Sequence, residues 1–197
     1  SLAAKLGERL GWETAYESVE DNPYLADFYA DMPSWAFHLQ VFFLGHRARQ
    51  HLLFAEAARS AIIDRSIYED AEIFAKAALE LGSVTERDYR TYRQVFDLVV
   101  GTLPTPDLLI FLRAELPVLV ERIRARGRDM ERGLSAEYLG LLERLYTDWM
   151  TNFDLCPTLT IRTDDLDFVH EPRHLALVVS RIRDKLAGKE EIAFPTE

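Results

Sequence analysis

The 197 residues are 48% apolar, 28% charged and 11% aromatic, enough for one compact domain with a full core and too few for two comfortable ones. Only nine glycines and eight prolines, with plentiful aromatics, exclude a fibrous repeat or a disordered chain, and no uncharged apolar run approaches the ~18 residues of a membrane span. The net charge of −10 excludes a duplex-coating protein, and the single Cys156 excludes an intrachain disulfide framework and points to a reducing, cytoplasmic setting.

The first ten residues place apolar side chains at 2, 3, 6 and 10, which is helix spacing. With no initiator Met and no signal-peptide pattern, the chain starts inside a helix, so residues preceding Ser1 are expected. Short apolar runs of strand length follow at Thr14–Val19, Ser60–Asp64, Asp107–Arg113 and Thr158–Arg162. The runs at 60–64 and 108–112 are apolar enough for strands covered on both faces. Helical stretches separate them: Ser34–Arg59, Ile67–Leu81, Thr85–Leu103, Glu115–Arg126, Ser135–Phe153 and Glu171–Leu186. Strands alternating with helices of this length predict βαβ crossovers and a mostly parallel sheet in one α/β domain spanning 1–197. The apolar residues of 34–59 encircle their helix, so it is expected to be buried on several sides, with a subunit interface as one way to achieve that.

Ligands bind outside the carboxyl ends of strands in open parallel sheets. Glu17, ending the first run, is therefore a candidate base or metal ligand, against the alternative of a solvated strand-end carboxylate. Asp64-Arg65-Ser66 ends the second run; the acid could hold Mg²⁺ and the guanidinium a developing phosphoryl charge, or the two could be a structural ion pair. Arg122, Arg124, Arg126, Arg128 and Arg132 concentrate positive charge in an acidic chain. Arg122 and Arg126 share a helix face, with Arg128 just beyond Gly127, a pattern that suits a triphosphate or simply a solvated helix. Arg47 and Asp70 read as buried charges on helices, with Gln40 and Phe74 at hand. The five histidines lack metal-ligand spacing, and Cys156 beside Pro157 reads as packing rather than a nucleophile.

Taken in order, Tyr16-Glu17-Ser18-Val19, Asn22-Pro23-Tyr24-Leu25, Phe28-Tyr29 to Trp35, Gln40 to Arg47 and Asp64-Arg65-Ser66-Ile67-Tyr68 resemble the deoxynucleoside kinases. The resemblance continues through Ile73-Phe74-Ala75, Pro106 to Ile110, Glu121-Arg122-Ile123, Arg126-Gly127-Arg128 and Tyr138-Leu139. It implies a P-loop kinase-type three-layer fold, with a five-stranded parallel sheet flanked by helices and an arginine-rich lid around 122–133. It also implies a glycine-rich phosphate loop ahead of Ser1. On the same ground Glu17 is expected to be the general base for the substrate 5′-hydroxyl, Arg65 to orient that base and stabilise transferred charge, and Asp64 to serve Mg²⁺. Gln40 would pair with the base edge, Phe74 stack on it, and Tyr29 and Glu131 hold the sugar 3′-hydroxyl. Arg122, Arg126 and Arg128 would close on the phosphates of ATP.

The implied activity is ATP-dependent conversion of a deoxynucleoside to its 5′-monophosphate in nucleotide salvage, by a homodimer that binds neither membrane nor nucleic acid polymer. Rivals are a thymidylate-kinase-like monophosphate kinase and a catalytically silent nucleotide-binding subunit. Ser18 stands where the family has Pro, and the Asn22-Pro23-Tyr24-Leu25 variant resembles bacterial purine-directed members. With Arg47 and Asp70 at the pocket floor, that variant predicts deoxyadenosine or deoxyguanosine as preferred acceptor, deoxycytidine second and thymidine poor. Phe42, Phe43 and Phe54 are the candidate apolar centre of the dimer interface.

Overall fold

The structure is a computed structural model describing residues 1–16, 22–57, 59–127, 134–168 and 170–188. Helix α1 (Leu2–Leu10) opens on the Ser1 hydroxyl, which accepts from the Ala4 N–H at 3.4 Å, and ends at Gly11 in the left-handed region, φ 71°. The amides of Gly11 and Trp12 both donate to the Gly7 carbonyl, and a Cβ on Gly7 would collide with Thr14 of the following strand. That close approach sets α1 against β1 (Glu13–Ala15).

Helix α2 (Leu25–Ala30) leads into α3 (Met32–Glu56), which starts where Asp31 caps the Ser34 N–H and Pro33 occupies the first turn. After β2 (Ala61–Ile63), Ser66 and Glu69 form a reciprocal capping box at the start of α4 (Ile67–Glu69). The helix continues as a π-helix over Asp70–Ala75 and then as α5 (Lys76–Glu80). Helix α6 (Glu86–Val100) is capped by Thr85; β3 (Leu109–Arg113), α7 (Leu116–Arg126), α8 (Ala136–Asn152), β4 (Thr158–Arg162) and α9 (Pro172–Leu186) complete the order.

The strands pair in parallel, as the strand–helix alternation predicts. Glu13, Thr14 and Ala15 align with Ala61, Ile62 and Ile63, and Leu109–Arg113 align with Thr158–Arg162. Among the described residues these are two separate two-stranded parallel ladders rather than one continuous five-stranded sheet, and parallel strands flanked by helices agree with the α/β fold expected. Their apolar side chains, including Ile62, Ile110, Leu159 and Ile161, share one core cluster with Leu2 and Leu6 of α1 and Val178, Val179 and Ile182 of α9. A second cluster (Leu44, Ile67, Tyr68, Ala71, Tyr92, Phe96) joins α3, α4, the π-helix and α6. A third, Ile73, Ala77 and Leu145, joins the π-helix and α5 to α8.

Helix α3 is buried along one stripe only, at Ala36, Leu39, Gln40, Leu44 and Arg47. Leu52 and Leu53 of α3 and Val95 and Leu98 of α6 remain exposed, Leu98 at 74%, while Phe42, Phe43 and Phe54 are half-buried. Phe42 packs on Tyr24, Phe43 and His46.

Candidate active site

Parallel pairing in register brings the carboxyl ends of β1 and β2 side by side. The Asp64 N–H donates to the Ala15 carbonyl at 2.9 Å, so Asp64 leaves the sheet next to the end of β1, two residues short of Glu17. Glu17 itself, Arg128 and Glu131 lie outside the described residues. Asp64 is half-buried. Among the described residues no three His, Cys, Asp or Glu side chains converge as a metal cage. A single strand-end carboxylate still suits Mg²⁺, which is commonly held by one or two carboxylates while phosphates and water complete its shell.

Arg65 has φ 73°, the one described non-glycine residue in the left-handed region. A side chain there costs about 1–2 kcal/mol, so surrounding contacts must hold it. Three do. Arg47 donates from Nη1 to the Arg65 carbonyl at 3.0 Å, Arg65 donates from Nη1 to Glu69 Oε1 at 3.0 Å, and its guanidinium lies 4.9 Å from the Phe74 ring centroid. Glu69 Oε1 also accepts from the Tyr146 hydroxyl, and Glu69 Oε2 from the Ser66 N–H at 3.4 Å.

Gln40, Leu44 and Arg47 lie on one face of α3, four and three residues apart, and that face meets the π-helix carrying Asp70 and Phe74. Arg47 and Asp70 form an ion pair with both side chains only 3% exposed. Burial pushes the Asp70 carboxyl up to about 7, against the opposing pull of Arg47. Gln40 is buried too, and its side-chain oxygen has no hydrogen-bond partner among the described residues. An unsatisfied buried acceptor costs about 1–3 kcal/mol, which a ligand donor would relieve. Tyr29 on α2 is 41% exposed, and its phenol acts electrostatically on that of Tyr138, as does the Arg65 guanidinium.

The structure thus gathers Gln40, Arg47, Arg65, Asp70 and Phe74 beside Asp64, and adds three residues the sequence reading assigned no role: Glu69, Tyr138 and Tyr146. The Ser-x-x-Glu spacing of the capping box is the one local signal that could have drawn attention to Glu69.

The basic cluster divides. Arg122 donates from Nη1 to Thr163 Oγ1 at 3.0 Å and from Nη2 to the carbonyls of Thr163 and Asp164, fastening α7 to the end of β4. Arg126 is exposed in the last turn of α7, before Gly127 at φ 66°. Cys156 is half-buried and burial raises its thiol, which fits packing rather than nucleophilic chemistry.

The family model described as "Deoxynucleoside kinase" matches residues 1–187. The chain is 39% identical over 184 residues to the deoxyadenosine/deoxycytidine kinase of Bacillus subtilis (strain 168), covering 92% of this chain and 85% of that one. It is 35% identical over 195 residues to a deoxyguanosine kinase of Lactobacillus acidophilus, covering 94% and 85%. Among solved structures, the deoxyadenosine kinase from M. mycoides with products dCMP and a flexible dCDP bound superposes with a TM-score of 0.81 at 30% identity, covering 93% of this chain and 92% of that one. The same enzyme with bound dATP superposes at 0.78 and 29% identity, covering 92% of each chain.

Proposed function

The chain belongs to the deoxynucleoside kinase family and is a phosphotransferase; from that premise we propose that it moves the terminal phosphoryl group of ATP to the 5′-hydroxyl of a purine deoxynucleoside, with deoxycytidine as second acceptor. The relatives' names favour neither a thymidylate-kinase-like enzyme nor a silent subunit. We read residues 1–197 as one kinase domain of nucleotide salvage, with a lid around 122–133.

In this reading Glu17 takes the hydroxyl proton as the 5′-oxygen bonds to phosphorus and the bond to the bridging oxygen breaks, leaving the nucleoside diphosphate. Arg65 offsets negative charge on the transferred group. Asp64 would hold Mg²⁺, which when bound neutralises charge on the donor phosphates. Arg126 and Arg128 close on those phosphates. Arg122 joins them by exchanging the Thr163 and Asp164 carbonyls for phosphate oxygens. Tyr29 and Glu131 hold the 3′-hydroxyl.

Gln40 carries the acceptor reading: a buried amide with an unpartnered oxygen can accept from and donate to one base edge at once, with Phe74 supplying the stacking face. The Arg47–Asp70 pair bounds the same floor and, being nearly fully buried, has little room to move for thymine's extra methyl. The single half-buried thiol supports a cytoplasmic place of work. The exposed Leu52, Leu53, Val95 and Leu98 support a homodimer built on α3 and α6.

The test is kcat/KM for the four deoxynucleosides with ATP and Mg²⁺, repeated on Asp70→Ala. Deoxyadenosine or deoxyguanosine should lead, deoxycytidine follow and thymidine trail, and the ranking should change in the variant. Thymidine leading in the intact enzyme, or an unchanged ranking in Asp70→Ala, refutes this assignment of the base pocket.

A further inference from the structure

We infer that Glu69 and Tyr146 are positioning residues for Arg65, a two-step relay from α8 that aims the guanidinium used in phosphoryl transfer. The inference rests on Arg65 acting in the reaction as proposed above.

Arginine carries a planar charged fork on a long flexible stem, so its worth in a transition state depends on what fixes the plane before the substrate arrives. Here the plane is fixed twice. The Phe74 ring backs it at 4.9 Å, and Glu69 Oε1 takes its Nη1 hydrogen bond at 3.0 Å. A surface carboxylate would do this poorly, because it would swing between water and the cation. Glu69 is different: its side chain is 14% exposed against 38% for Arg65. Its oxygens are divided between separate anchors. Oε2 accepts from the Ser66 N–H, and Oε1 accepts from the Tyr146 hydroxyl as well as from Arg65.

Tyr146 in turn is held by packing. Its ring stacks on Phe111 of β3 with centroids 5.7 Å apart and lies 6.4 Å from Trp149. Burial and the neighbouring Glu69 carboxylate raise its phenol far above the usual range, so it remains an O–H donor throughout the working pH of an enzyme. Four elements therefore converge on one guanidinium: the end of β2 through Arg65 itself, α4 through Glu69, the π-helix through Phe74 and α8 through Tyr146.

The capping box permits a clean test, because Gln satisfies it as well as Glu does. Glu69→Gln removes the charge that anchors Arg65 and leaves the helix start intact; Tyr146→Phe removes the donor and keeps the aromatic packing. Each variant, Arg65→Ala and the double variants with Arg65→Ala would be assayed for kcat, for KM of the deoxynucleoside and for thermal midpoint. Glu69→Gln should lower kcat about 10- to 50-fold, the scale on which a misplaced catalytic group costs rate, with KM changed less than about threefold. Tyr146→Phe should lower kcat about 3- to 10-fold, the worth of about one hydrogen bond. Neither should lower kcat further once Arg65 is Ala, since residues acting as a unit are non-additive. Wild-type kcat in Glu69→Gln, or losses that multiply fully with Arg65→Ala, would overturn the relay while leaving Arg65 in its role. Wild-type kcat in Arg65→Ala would remove Arg65 from the reaction, and with it the reading on which the relay rests.

Discussion

Arg47 donates from Nη1 to the backbone carbonyl of Arg65 at 3.0 Å, so a buried cation on α3 holds the strained residue that leaves β2. The same guanidinium is ion-paired with Asp70, so the two residues proposed to read the base also hold the backbone of Arg65, the residue proposed to act in phosphoryl transfer. If both roles hold, a change at Asp70 should be felt in base preference and in turnover alike.

The Asp70 carboxyl supplies a pH signature. Its pKa in the folded chain is raised to about 7 by burial, above the ordinary carboxylate value, so the folded protein holds this proton where the unfolded chain has lost it. Stability from this group is complete below about pH 4 and is lost as pH rises to about 7, at no more than about 1.4 kcal/mol per pH unit. Relative to Asp70→Asn, the wild-type protein should lose stability across that window and then run parallel to it. Urea titrations of both proteins between pH 4 and 8 measure this. Wild type gaining on the variant as pH rises would show that the Arg47 charge outweighs burial.

Glu17→Gln should lower kcat by about 100-fold, the scale of a general base, with deoxynucleoside binding nearly unchanged because the amide keeps the size of the side chain. Single-turnover phosphorylation alongside equilibrium binding of the deoxynucleoside separates the two. Near-wild-type turnover would take Glu17 out of the role.

Leu145 of α8 is 1% exposed and packs with Ile73 of the π-helix and Ala77 of α5. Leu145→Ala should cost about 2–5 kcal/mol of unfolding free energy, the range for emptying a close-packed site. Because Tyr146 is the next residue, kcat should also fall where the fold survives. A denaturation midpoint matching wild type would mean that α8 repacks freely.

Light scattering at micromolar concentration should report a dimer, and Leu98→Lys, placing charge where the 74% exposed leucine of α6 now stands, should yield a monomer with its fold intact. A monomeric wild-type protein would refute the assembly proposed for α3 and α6.

Much of this architecture was legible in the chain. The helix over 34–59 is found at Met32–Glu56, that over 85–103 at Glu86–Val100 and that over 171–186 at Pro172–Leu186. Apolar periodicity and local caps such as Thr85 and Ser135 act within a few residues and need no partner. The strand Thr158–Arg162 coincides with its predicted range because Cys156-Pro157 interrupts any helix just before it. Burial of Arg47 and Asp70 was legible as charge within apolar helices, whereas the exposed face of α3 was not: a helix apolar all round does not say which side finds a neighbour.

The sequence by itself determined the class of fold and the order of its elements, because periodicity, capping and strand-end position are local properties of the chain; the site residues it offered rest on the family resemblance. Tertiary structure alone decided what those residues do to one another. The left-handed backbone at Arg65 has no local signal in a non-glycine residue, and it persists because Arg47, 18 positions earlier, holds its carbonyl. The meeting of Glu69 with Tyr146, 77 residues apart, depends on α8 packing against the π-helix. The docking of Arg122 on Thr163 and Asp164 depends on α7 lying beside the end of β4. Such contacts are fixed by packing among distant segments, where the energy of each pair depends on which surfaces have already been buried.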